Sequence, residues 1–144
     1  MTQTTAVRVA VIGCGGAARD YHIRRTLQSF QGVEIVVVCE PSSISYEATV
    51  AIFQESGKTP PPTETDLNKL LHDYHNQLEI AVIATPHALH LSQTVACMRA
   101  GLDVLLEKPM VASLKSWLMF PHSIMPLLAS SFSSSLSAKC SSMT

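Results

Sequence analysis

Apolar positions along the first 113 residues follow two alternating rhythms. "VRVAVI" at 7–12, "VEIVVVCE" at 33–40, "IAVIAT" at 80–85 and "DVLLE" at 103–107 are short aliphatic runs rich in β-branched residues. The run at 7–12 suits a strand buried on both faces of a sheet and that at 80–85 another buried strand, while 33–40 and 103–107 read as further strands. Between them the apolar residues recur at helical intervals. Ile23, Leu27 and Phe30 predict a helix stopped by Gly32, and Tyr46, Val50 and Phe53 a second that ends near Gly57. Leu67, Leu70, Leu71 and Tyr74 predict a third, with Thr65 as its N-cap; Leu91, Val95 and Met98 predict a fourth, closed by Gly101. "TPPP" at 59–62 withholds ladder donors, so any third strand there is short and at an edge. Strands alternating with helices across short connections predict an α/β fold. Its form is a doubly wound parallel sheet, with right-handed crossovers and helices on both faces.

The rhythm breaks near Leu114. Residues 114–144 hold ten serines in 31 positions and no Asp or Glu, whereas all eleven acidic residues lie in the first 113. Residues 1–113 are therefore expected to form one domain. Residues 114–144 read as a Ser-rich atypical tail with no domain assigned, and the sheet reads as incomplete at its C-terminal end. A net charge of −1 gives no basic footprint for nucleic acid or an anionic membrane. "MTQTTAVRVAVIG" lacks the basic and apolar regions of a secretory signal. "WLMFPHSIMPLLASSF" falls short of the ~20 apolar residues that a spanning helix needs. Cys14, Cys39, Cys97 and Cys140 form no C-x-x-C pair, which suits a reducing compartment. The expectation is a cytoplasmic protein without nucleic-acid or membrane partners.

Candidate chemistry begins at "VIGCGGAARD", residues 11–20. Gly13, Gly15 and Ala18 match G-x-G-x-x-A between a strand and a helix, the context of a dinucleotide-binding turn. The first glycine permits the tight turn and the second lets backbone approach a pyrophosphate. The small third residue brings helix and strand close. Glu40 ends the second strand, where a carboxylate accepts hydrogen bonds from ribose hydroxyls and repels a 2′-phosphate. Pro41, Ser42 and Ser43 supply no compensating arginine, so NAD is expected in preference to NADP. Arg24 and Arg25 either reach phosphate or belong to a solvated helix face. "ATPHALH" at 84–90 and "LLEKPM" at 105–110 each follow a strand, at the sheet edge where such folds bind ligands. Lys108 stands on a turn fixed by Pro109. His87 with His90, and His72 with His75, have the spacing of paired metal ligands, but no third or fourth ligand is apparent and no metal is assigned.

Together, "GCGGAA", "VVVCEPS", "VIATPHALH" and "AGLDVLLEKPM" resemble the Gfo/Idh/MocA family of nicotinamide-dependent sugar and polyol oxidoreductases, over roughly residues 7–113. The resemblance implies a Rossmann domain whose glycine turn, Gly13, Gly15 and Gly16 here, binds the pyrophosphate. It maps the acidic residue to Glu40 and the stretch lining the cofactor to Thr85, Pro86, His87 and His90. The E-K-P stretch maps to Glu107, Lys108 and Pro109, with Lys108 the candidate catalytic residue that reaches the nicotinamide ribose and the substrate. His90 alone reads equally as a helix-packing histidine or a cofactor contact. In the family a sixth strand follows, then a substrate domain with an aspartate–histidine pair. Neither is recognisable after Ser113. The chain therefore reads as an NAD(P)-binding domain truncated before its substrate domain and catalytically incomplete. The alternatives are a non-catalytic dinucleotide-binding module and an inactive truncated gene product. A sheet ending at 103–107 would expose Val104, Leu105 and Leu106 at an edge, with self-association as the expected result.

Overall fold

The computed structural model describes residues 6–110, together with Ser113 and Lys115; apart from Lys115, the Ser-rich tail lies outside the described residues. Five strands form one parallel sheet: β1 (Val7–Ile12), β2 (Val33–Cys39), β3 (Thr63–Glu64), β4 (Ile80–Ile83) and β5 (Asp103–Leu106). Their spatial order is β3-β2-β1-β4-β5. The order reverses direction at β1, which places a crevice at the carboxyl ends of β1 and β4. The doubly wound parallel sheet is thus as the patterning predicts.

The aliphatic runs of β1, β2 and β4 are buried on both faces, whereas in β5 Leu105 stands 53% exposed. Ala10, Ile12, Val37, Ala81 and Ile83 pack with Leu70, Leu71 and Cys97 from helices α3 (Leu67–Tyr74) and α4 (His90–Arg99). Val9, Val11, Val38 and Val82 face the other way, toward Ala18, Ile23, Ile52 and Phe53. Ile52 and Phe53 come from α2 (Ser43–Glu55); Ala18 and Ile23 lie in the helix that leaves β1. Full burial of aliphatic side chains such as Ile12, Ile83 and Leu70 contributes roughly 2 kcal/mol each.

Three local expectations are corrected. The first helix is a π-helical segment, Ala18–Ile23, running into α1 (Arg24–Ser29), and it ends before Gly32. Phe30 turns to extended backbone, φ −116° and ψ 99°, and stands 56% exposed instead of continuing the buried stripe. Gly32 has no left-handed φ; its carbonyl accepts the Val7 N–H at 2.8 Å, tying the loop to β1. The cap of α3 is Asp66, not Thr65: its carboxylate accepts the Lys69 N–H at 2.9 Å, and a charged acceptor caps more strongly. The buried stripe of α4 is His90, Thr94 and Cys97, with Leu91, Val95 and Met98 half-buried one position around. That rotation follows from hydrogen bonds made by His90, described below. Gly57 and Gly101 do close their helices with positive φ, 67° and 85°.

Candidate functional site

Gly13 leaves β1 at φ +88°, a conformation that favours glycine, and its N–H donates to the Cys39 carbonyl at 2.8 Å. A Cβ there would sit 2.8 Å from Thr85 Cγ2 and 2.9 Å from the Ala84 carbonyl oxygen. This glycine is required by close approach of the β4 loop. Gly15 and Gly16 differ: a Cβ on either meets nothing within 4 Å. Their N–H groups open the helix, where no preceding carbonyl can accept them. Ala18 is fully buried in the packed face beneath.

The amide and carbonyl of Cys14, between the first two glycines, are both engaged. Its N–H donates to Glu40 Oε2 at 2.7 Å, and its carbonyl accepts from Arg19 Nη1 at 2.6 Å. Glu40 Oε1 accepts the Ser42 N–H at 2.8 Å. The carboxylate at the end of β2, only 8% exposed, therefore fastens the glycine turn and the entry to α2. Each carboxylate oxygen retains further acceptor capacity. Burial pushes the Cys14 thiol up to about 11, so no thiolate charge competes at the turn.

A cleft of about 540 Å³ opens over the turn, and Gly13, Gly15, Glu40, Thr85 and Pro86 line it. Sequence reasoning missed Thr65, Asp66, Leu89 and Gln93 on its walls. Gln93 accepts the Thr85 hydroxyl proton. The remaining candidates stand outside that lining. His87 is exposed and packs edge-on against His90, the ring centroids 5.4 Å apart. His90 is fully buried; its Nδ1 lies 2.9 Å from the Pro109 carbonyl and its Nε2 2.9 Å from that of Thr85.

Glu107, Lys108 and Pro109 follow β5, with the Lys108–Pro109 bond cis and Lys108 exposed. Glu107 Oε1 pairs with His22 Nε2 at 2.6 Å, and Glu107 Oε2 accepts the Lys108 N–H at 3.2 Å. Those contacts, the His22 hydrogen bond first, hold its carboxyl below the ordinary carboxylate value. His22 lies in the π-helical segment, where the Arg24 N–H reaches back five residues to the Arg19 carbonyl. Such single π turns recur at functional sites. The other histidine pair, His72 on α3 and His75 just after it, is engaged elsewhere: His72 Nδ1 meets Asp73, and His75 Nδ1 the Leu71 carbonyl.

A parallel sheet in this order, with a glycine turn opening the first helix and a buried carboxylate ending the next strand, defines a Rossmann dinucleotide-binding domain. Residues 7–119 match the Gfo/Idh/MocA oxidoreductase family, described by its NAD-binding Rossmann fold, and the chain belongs to that family. It is 29% identical over 116 residues to inositol 2-dehydrogenase of Rhodococcus erythropolis, covering 81% of this chain and 31% of that protein. The structure of myo-inositol 2-dehydrogenase from Lactobacillus plantarum matches with a TM-score of 0.70 at 26% identity, over 85% of this chain and 34% of that one. Scyllo-inositol dehydrogenase from Lactobacillus casei, with bound NAD(H) and scyllo-inositol, shares the fold with a TM-score of 0.72 at 16% identity; the match covers 87% of this chain and 34% of that one. The chain spans about a third of the length of these relatives. Among the described residues no helix is long and apolar enough to cross a membrane.

Proposed function

We propose that this chain is the cofactor-binding part of an oxidoreductase acting on inositols or related polyols, and that its cleft takes NAD in preference to NADP. One observation carries the reading: open space above Gly15 and Gly16 beside a cleft that Glu40 lines. The helix N–H groups and the bare turn would hold the pyrophosphate. Glu40, already anchored by two backbone N–H groups, would accept the ribose hydroxyls. Thr85 and Pro86 would line the path, and the loop of His87 would flank it. When bound, the nicotinamide supplies hydride chemistry. Lys108, carried by Glu107 and Pro109, would bring an ammonium toward its ribose and the substrate. Completing an alcohol oxidation also needs a general base and a pocket at the reacting carbon. The buried thiols of Cys14, Cys39 and Cys97, unpaired among the described residues, suit a reducing cytoplasm.

Cofactor preference tests the site. A like charge set against the 2′-phosphate costs enough to weaken NADPH by about tenfold or more. Titration of both reduced cofactors onto the protein should give tighter NADH binding, and Glu40→Gln should narrow the ratio while keeping an acceptor for Cys14. Equal affinities in the wild type, or a ratio unmoved by E40Q, would sink the preference.

Self-association belongs to the same reading. Among the described residues β5 pairs only with β4, and Leu105 is 53% exposed beside Tyr21 and Phe30 along an apolar groove. Exposed apolar edges recruit further strands. We expect concentration-dependent dimers in sedimentation velocity at micromolar protein, reduced by Leu105→Lys. A monomer at every concentration would refute this.

A further inference from the structure

We infer that His90 is a positioning residue: its ring clasps together the two loops that follow β4 and β5 and holds them in register for the dinucleotide. The inference rests on the cofactor reading for its second half only.

His90 opens α4, and its side chain is fully buried although histidine is seldom so. Here each nitrogen faces a backbone carbonyl at 2.9 Å, Thr85 on one side and Pro109 on the other. Carbonyl oxygens only accept, so a ring with one proton donates to one of the two and packs against the other, whereas a doubly protonated ring donates to both. Thr85 stands on the cleft wall, and Pro109 directly follows Lys108. The two loops leave adjacent parallel strands, so a rigid ring between them fixes their separation. The buried ring shields one side of each contact from water, although Pro109 itself is exposed. On the far side the same β5 loop is held by the His22–Glu107 contact. Lys108 is thus carried between two anchored residues while remaining exposed itself.

Isosteric amides separate the two contacts. The Asn amide nitrogen takes the place of Nδ1, and the Gln amide nitrogen the place of Nε2. In the full chain, His90→Asn should keep the Pro109 contact and release Thr85, whereas His90→Gln should do the reverse. Hydrogen–deuterium exchange read on peptides covering 84–89 and 107–113 should therefore rise in opposite loops of the two variants, with β1 unchanged. Each should weaken NADH binding about three- to tenfold, the range of one net hydrogen bond. Wild-type exchange in both loops of both variants would overturn the clasp. Altered exchange with unchanged NADH affinity would overturn the link to the cofactor. A wild-type protein that binds no NADH would remove the proposed function, while the exchange pattern would still decide whether His90 clasps the loops.

Discussion

Gly15→Val is expected to abolish measurable NADH binding in a protein that remains folded. The two halves of that expectation have separate physical causes. Gly15 has no left-handed φ, and a Cβ placed on it meets nothing within 4 Å. A β-branched residue at the start of a helix costs well under about 1 kcal/mol. The fold therefore has no reason to reject the side chain. The space the valine would enter is the approach to the helix-opening N–H groups, where the pyrophosphate is proposed to sit. Hydrogen bonds from backbone to a charged phosphate contribute roughly 1.5–3 kcal/mol each, so losing two weakens binding by about 100-fold or more. Fluorescence titration beside circular dichroism and a thermal melt would check both halves. NADH binding of wild-type strength in the folded variant would show that the glycine turn serves the fold alone.

How much of this was legible in the sequence depends on the range of the interaction. The strands could be read because residues such as Val9 to Ile12 are buried on both faces, so every position in the run is apolar. The short edge strand followed from prolines that lack an N–H. The glycine turn was legible because its requirement is local. Gly13 was assigned to a tight turn, and the structure adds that the β4 loop presses against it, a neighbour more than 70 residues away. Contacts across the sheet left no local trace. The His22–Glu107 pair spans 85 residues of sequence and the His90–Pro109 contact 19. Apolar periodicity also misplaced the buried face of α4, because His90 and Thr94 are polar by composition yet face the interior. Phe30 failed for a related reason: its spacing fits the stripe, but the chain has left the helix by then. Asp66 could have been preferred over Thr65 as a cap from side-chain chemistry alone.

Gly13→Ala is the counterpart of the valine substitution two residues on, and it should fail in the opposite way. Here the backbone sits at φ +88°, where an L-residue costs roughly 1–2 kcal/mol. The added methyl also meets Thr85 Cγ2 at 2.8 Å and the Ala84 carbonyl oxygen at 2.9 Å. Neither neighbour is free to withdraw. The Ala84 N–H donates to the Ile12 carbonyl at 2.9 Å, extending the β1–β4 pairing, and the Thr85 hydroxyl is held by Gln93. Relief by moving Gly13 itself would break its own bond to Cys39 at 2.8 Å and separate β1 from β2 at their carboxyl ends. Overpacking of this kind adds about 1–3 kcal/mol, for a combined loss of about 3 kcal/mol. For a domain of this size that lowers the melting temperature by about 10 °C or more. NADH affinity should fall with it, since the same displacement moves Cys14, Glu40 and Thr85 together. Differential scanning fluorimetry with and without NADH would measure both effects. A melting temperature within about 2 °C of wild type would mean that the β4 loop yields freely, and that the turn is not the rigid junction its hydrogen bonds describe.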